Sequence, residues 1–182
     1  MKLNAKELRT QPVDCERAKA IKKNPITIIL DNVLDTYNIG SIFRLADAVA
    51  AEKVYLCGAT ETPPNTRIKK ASINTWAWVD WEYVSTAKEA IEKCQTRLAG
   101  EAGAKCQIVA VEQDEKSIPF QTAKYTFPIA IVVGNETNGI SKDILKQVDT
   151  IVELPMFGIN TSLNVMVSTG IILYDILRQI HP

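Results

Sequence analysis

Short apolar runs rich in β-branched residues recur along the chain, bounded by turn-forming or charged residues: Ile26–Leu30, Lys53–Cys57, Gln107–Val111, Ile129–Val133 and Thr150–Leu154. Runs of this length and composition predict strands, and Trp81–Val84 predicts a sixth, weaker one. Between them, apolar positions recur three and four residues apart over Ser41–Ala51, Thr86–Leu98 and Ser162–Ile180, which predicts helices with one buried face. Strands that alternate with helices predict an α/β fold: a largely parallel sheet flanked by helices. The leading residues, up to Lys23, read as charged helix that Pro25 ends, so residues 1–24 are expected to form a helical extension covering one side of the core. Gly58–Asn65, with its Pro63-Pro64 pair, predicts a loop. No repeat, low-complexity stretch or linker-like shift divides the 182 residues, which predicts a single domain over 1–182.

Charge narrows the picture by what it leaves out. Lysine plus arginine equal aspartate plus glutamate at 21 each, so no global positive field advertises a nucleic-acid binder. Any such contact needs a local patch, and the best candidate is Arg67, Lys69 and Lys70, just after the proline loop; taken alone, such a run is more often solvated surface. Cys15, Cys57, Cys94 and Cys106 are scattered without a C-x-x-C pair, which argues against a zinc site or a secreted disulfide framework and for reduced thiols in a cytoplasm. The one histidine, His181, stands at the tail, so neither a histidine triad nor a histidine metal cluster is expected. The first residues lack an apolar signal core, and Ile129–Val133 is far too short to span a bilayer, so no membrane association is expected.

In open parallel sheets, ligands sit beyond the carboxyl ends of the strands, so the residues that follow each strand carry the chemistry. After the first strand, Asn38-Ile39-Gly40-Ser41-Ile42-Phe43-Arg44 opens a helix; taken alone, Asn38 reads as its cap and Arg44 as a solvated cation. After Ile129–Val133 comes Gly134-Asn135-Glu136-Thr137-Asn138-Gly139-Ile140-Ser141. Its glycine spacing imitates a phosphate loop, but Ile140 stands where that motif needs lysine, which excludes the nucleotide-triphosphatase reading. No strand leads into G-x-G-x-x-G either, which removes a dinucleotide dehydrogenase. After Thr150–Leu154 comes Pro155-Met156-Phe157-Gly158-Ile159-Asn160-Thr161-Ser162-Leu163-Asn164-Val165, where Ser162 and Asn164 read as cap and first-turn residues able to face a ligand.

Taken together and in this order, Asn38-x-Gly40-x-x-x-Arg44, Gly134-Asn135-Glu136-x-x-Gly139-Ile140 and Leu154-Pro155-Met156-x-Gly158-x-x-x-Ser162-Leu163-Asn164-Val165 resemble the three motifs of SpoU/TrmH-type RNA 2′-O-ribose methyltransferases. The resemblance runs from about residue 26 to 180. It implies the SPOUT fold, with a C-terminal trefoil knot that forms a pocket for S-adenosylmethionine and usually dimerises. It also implies tRNA or rRNA as substrate and no metal. Val111, Gly134, Leu154, Met156 and Leu163 would line the donor pocket, and Glu136 would position polar groups of substrate or cofactor. Asn38 would hold Arg44 or the ribose in register, while Ser162 and Asn164 would orient the substrate and the first-motif side chains. The family proposal makes Arg44 the base, although a free guanidinium gives up its proton only far above neutral pH. Arg44 as a cation that stabilises the forming alkoxide and anchors a phosphate therefore stays open beside it.

Met166, where relatives often carry a small residue, and Thr137-Asn138, where they are glycine-rich, depart from the pattern and bear on pocket shape. The apolar stripe Leu163, Met166, Val167, Gly170, Leu173, Tyr174 and Leu177 on the last helix fits either a homodimer face or the sheet itself. A non-catalytic knotted module that holds the donor or RNA is the alternative function; the five polar residues Asn38, Arg44, Glu136, Ser162 and Asn164 count against it.

Overall fold

The computed structural model describes Glu7 and residues 15–98 and 105–181. Its strands are β1 (Asn24–Asp31), β2 (Ala51–Cys57), β3 (Trp81–Val84), β4 (Gln107–Val111), β5 (Ile118–Pro119), β6 (Ile129–Val133) and β7 (Thr150–Glu153). The helices are α1 (Cys15–Ala20), α2 (Thr36–Ala48), α3 (Thr66–Ser72), α4 (Ala87–Leu98), α5 (Lys142–Leu145) and α6 (Val165–Ile180). The strands form one sheet in the order β3-β2-β1-β6-β4-β7-β5, and every pair is parallel.

β1 and β6 lie at the centre and are apolar almost throughout because helices cover both faces. Ile26, Ile28 and Leu30 point into one core, shared with Ile39, Ile42 and Phe43 of α2 and Ile172, Leu173 and Ile176 of α6. Ile29 points the opposite way, into a second core with Ala90, Ile91 and Cys94 of α4 and Ile144 of α5. Cys57, Cys94 and Cys106 are buried and form no disulfide. Burial, followed by the nearby carboxylates of Asp31 and Glu89, pushes the Cys57 thiol up to about 12, so it is an inert core side chain.

All six predicted strands form, and the weak run Trp81–Val84 is an edge strand. The two-residue β5 carries too little pattern to be read from sequence. Helix boundaries needed correction. The helix expected from Ser41 starts at Thr36, because the Asp35 side chain accepts the Tyr37 backbone N–H and caps it. Asn38 is therefore inside the helix and is not its cap. The same helix stops at Ala48 rather than Ala51, where the chain turns through Ala50 at φ 47° into β2. The last helix starts at Val165 instead of Ser162, with Asn164 as cap. Pro25 sits within β1, near its start, where a missing N–H is tolerated. Of the expected extension over residues 1–24, the segment Cys15–Ala20 is helical, and residues 1–6 and 8–14 lie outside the described residues.

α3, short and unforeseen, is capped by Asn65 and docks on α2 through Gly40. A Cβ on Gly40 would stand 2.6 Å from Ala71 Cβ and 2.8 Å from the Ile68 carbonyl oxygen. Helix backbones can approach this closely only over glycine, and the approach fixes where α3 presents Arg67, Lys69 and Lys70. Replacing Gly40 with Val is expected to destabilise the protein by about 1–3 kcal/mol, the cost of overpacking a filled contact. A urea unfolding midpoint equal to that of the parent would contradict this account of α2–α3 docking.

Candidate active site at the carboxyl ends of the strands

The three loops meet through one chain of hydrogen bonds. Asn164 Nδ2 donates to Asn38 Oδ1 at 3.1 Å, and Asn38 Nδ2 donates to Glu136 Oε1 at 3.0 Å. Glu136 Oε1 also accepts the Asp35 N–H, and Oε2 accepts the Leu34 N–H, each at 3.0 Å. Asn164 Oδ1 in turn takes the N–H groups of Met166 and Val167, so the residue that reads the first loop also caps α6. Asn38 is 6% exposed, and its amide is used at both ends.

The turn after β6 is held from within and from both sides. Asn135 Oδ1 accepts from Thr137 and Asn138 N–H, Asn135 Nδ2 donates to the Asn32 carbonyl, and Asn135 and Gly139 exchange backbone hydrogen bonds. Gly139 has φ +63°, and a Cβ there would run into the Glu112 carboxylate. Glu112 Oε2 lies so close because it accepts the Ile140 N–H at 2.8 Å. Its neighbour Gln113 donates from Nε2 to the Thr161 carbonyl at 2.7 Å, tying the end of β4 to the loop between β7 and α6.

Between these loops lies a cavity of about 360 Å³ with an adjoining recess of about 120 Å³. Small-molecule sites fall at roughly 300–1,000 Å³. Val111, Leu163, Ser162, Ser168 and Glu112 border both parts; Gly134, Glu136 and Asn164 border the larger, and Leu154, Met156 and Glu153 the smaller. Among the described residues, no lysine, arginine or histidine lines either part. The space suits a ligand with an apolar ring and polar substituents and offers no cationic grip for a phosphate. Among the described residues, no group of three or more His, Cys, Asp or Glu could hold a metal ion.

Val111, Gly134, Leu154, Met156 and Leu163 thus stand around one space, together with Glu136, Ser162 and Asn164, and Asn38 is joined to them through its amide. Arg44 is not among the lining residues. It is on the exposed face of α2 without a hydrogen-bond or ion-pair partner among the described residues. Arg67, Lys69 and Lys70 are exposed on α3, also away from the cavity. The Glu136 oxygens accept three protein N–H groups, which ties the turn after β6 to the first loop. Sequence reasoning missed Glu112, Gln113 and Glu153. Val111 was named through the resemblance; applied to the end of β4, the rule that ligands sit just past each strand would have reached Glu112 and Gln113.

An open parallel sheet with a cation-free cavity at its strand ends defines a class of small-molecule-binding α/β protein, and comparison with known proteins narrows it. Residues 25–174 match the model of the SpoU rRNA Methylase family. A tRNA (guanosine(18)-2′-O)-methyltransferase from Aquifex aeolicus is 34% identical over 87% of this chain and 71% of its own. The 23S rRNA (guanosine-2′-O-)-methyltransferase RlmB of Haemophilus influenzae is 30% identical over 96% of this chain and 68% of its own. An AdoMet-bound rRNA methyltransferase from Sinorhizobium meliloti superposes with a TM-score of 0.76 at 25% identity, over 91% of this chain and 61% of its own. The chain belongs to the SpoU rRNA methylase family.

Partial desolvation alone would raise the Glu136 pKa, but hydrogen bonds from the Asn38 side chain and the Leu34 and Asp35 backbones hold it below its ordinary value of 4.5. A lowered folded-state pKa means that the stabilisation is complete above the unfolded value and is lost as pH falls through the folded one. Glu136→Gln is therefore expected to be less stable than the parent at pH 7, with the gap closing progressively below about pH 4.5. Denaturation of both proteins across that range is the check; a gap that is constant with pH would remove the ionised carboxylate from the account.

Proposed function

We propose that this chain transfers a methyl group from S-adenosylmethionine to a ribose 2′-hydroxyl of tRNA or rRNA. The observation that carries the reading is the Asn164–Asn38–Glu136 chain, which locks the three family motifs around a cavity with an apolar wall and, among the described residues, no cation. The relatives supply the substrate class: the Aquifex enzyme is named for a tRNA guanosine and the Haemophilus enzyme for a 23S rRNA guanosine. Val111, Leu154, Met156 and Leu163 enclose the donor's ring, and backbone groups of the three loops take its polar edges. The donor supplies a methyl group on a sulfonium, an electrophile that needs no metal.

The protein's work is then alignment and charge. Ser162, whose hydroxyl is held by Asn160 Oδ1 at 3.4 Å, stands at the rim of both parts of the cavity and orients the ribose. Asn38 and Asn164 are spent on one another and on Glu136, so they position loops and hold Ser162 in register. Arg44 shares the accessible side of α2 with Tyr37 and Ser41 and remains free to bind RNA. Its cation stabilises the forming alkoxide and a neighbouring phosphate. Arg67, Lys69 and Lys70, which have no ion-pair partners among the described residues, bind the RNA backbone. The C-terminal trefoil knot implied by the motifs and a cytoplasmic site of action belong to the same reading.

The homodimer belongs to it as well. Of the stripe on α6, Met166, Leu173 and Leu177 pack on the core and Gly170 lies against Leu45, while Val167, Ile171 and Tyr174 stay exposed at helical spacing. Leu34 and Tyr37, 53% and 52% exposed, extend this apolar surface beside the Asn38–Asn164 contact. That face is the dimer interface. Sedimentation at micromolar concentration is expected to give a dimer that Tyr174→Arg dissociates; a monomeric parent would remove the interface.

Arg44→Lys keeps the charge and loses the planar fork. It is expected to cut methyl transfer to tRNA or rRNA by on the order of a hundredfold or more, with donor affinity unchanged. Labelled donor and bulk RNA give the first readout and calorimetry the second. Transfer at the parent rate would strip Arg44 of its role, and donor binding without transfer by the parent would leave a non-catalytic module.

A further inference from the structure

The loop between β7 and α6 carries much of the cavity wall and has little support of its own. Met156, Asn160, Ser162 and Leu163 border the cavity or its recess, yet Pro155 and Met156 are only half-buried and residues 157–163 are exposed throughout. Phe157 and Ile159, 97% and 103% exposed, do not pack on the core. Within the loop, Asn160 Oδ1 accepts the Ser162 N–H at 3.1 Å and the Ser162 hydroxyl at 3.4 Å, which ties Ser162 into a tight turn around Thr161. Among the described residues, a single hydrogen bond joins residues 155–163 to the rest of the chain: Gln113 Nε2 donates to the Thr161 carbonyl at 2.7 Å. It grips the turn that carries Ser162. Because a carbonyl can only accept, the nitrogen of the Gln113 amide is the atom that faces it.

Gln113 is itself placed by its neighbour. It donates its backbone N–H to Glu112 Oε1 at 2.9 Å, while Glu112 Oε2 takes the Ile140 N–H at the end of the turn after β6. Glu112 and Gln113 therefore link the second and third motifs by a route that does not pass through Asn38. The two routes do different things: Asn164 fixes where α6 begins, at one end of the loop, and Gln113 fixes a point inside it. Building on the proposed methyl transfer, we propose that Gln113 is a positioning residue whose bond to Thr161 holds Leu163 against the donor and Ser162 towards the ribose, so that one amide aligns both substrates. Without that bond the loop keeps its two ends and loses the anchor between them. Each ligand must then order the loop as it binds, at a cost in affinity.

The test compares the full chain with Gln113→Met, which keeps the reach of the side chain and cannot donate, and with Gln113→Lys, which restores a donor. Urea unfolding without ligand is expected to give the parent midpoint for both, because the bond is exposed and lies outside the core. Calorimetry is expected to show Gln113→Met binding S-adenosylhomocysteine, the demethylated product, about threefold to tenfold more weakly, the worth of one net hydrogen bond. Gln113→Lys is expected to recover most of that loss. The product is the probe because a charge added at position 113 acts less on its neutral thioether than on the donor's sulfonium. At saturating donor, Gln113→Met is expected to lower transfer to bulk RNA by a similar factor, and to lower it no further in a Ser162→Ala background, since the register of Ser162 is what the bond controls. Parent-like binding and transfer in Gln113→Met, or a full additional loss beside Ser162→Ala, would overturn the positioning role while the methyltransferase reading stands. A lowered unfolding midpoint with a binding loss that Gln113→Lys does not recover has the same consequence. A parent that binds neither S-adenosylmethionine nor its product overturns both.

Discussion

Glu136 accepts N–H groups from Leu34, Asp35 and Asn38, residues 98 to 102 positions earlier in the chain. The rest of the site is arranged around that carboxylate. Two of the donors are backbone groups immediately before α2, so the carboxylate fixes where the first strand gives way to its helix. The third is the Asn38 amide, and once Nδ2 is committed to Glu136, Oδ1 must face Asn164. Asn164 then starts α6, the helix that brings Val165 and Ser168 to the cavity and Ile172, Leu173 and Ile176 to the core. Local order at one loop is thereby converted into the placement of a whole helix. The arrangement is costly to disturb, because removing the acceptor leaves several donors without partners at once.

The legibility of this fold followed the strength of its periodic signals. Ile26–Leu30 and Ile129–Val133 are central strands buried on both faces, so their runs are apolar but for Thr27 and easy to read. β5 is two residues at an edge, and α3 holds one buried aliphatic residue, Ile68, in seven; neither can announce itself by pattern. The start of α2 was misjudged because Thr36, Tyr37 and Asn38 are weak helix formers, whereas the signal that decides it is the Asp35 cap one residue earlier. In the candidate site, the motif residues were visible by type and order, but their division of labour was not. Asn38 and Glu136 look alike as polar loop residues in one dimension; only the fold shows that they are used up on each other. Gln113 was passed over because it lies past the end of a strand outside the motif positions, and its bond to the Thr161 carbonyl is a property of three dimensions.

A balanced composition of 21 basic and 21 acidic residues gave no hint of an RNA-acting protein, and the fold explains why that balance misleads. The charges are segregated. Arg44, Arg67, Lys69 and Lys70 stand exposed on α2 and α3, two helices held together at Gly40, while Glu112, Glu136 and Glu153 border a cavity that no cationic side chain lines among the described residues. A polyanion is drawn to the first surface and repelled from the second, and a small cationic donor experiences the reverse. Exposed lysines and arginines attract over distances of about a Debye length, roughly 8 Å at physiological salt, and weaken as salt rises. The boundary between the two surfaces falls along α2, where the buried amide of Asn38 is joined to Glu136 and the guanidinium of Arg44 is exposed.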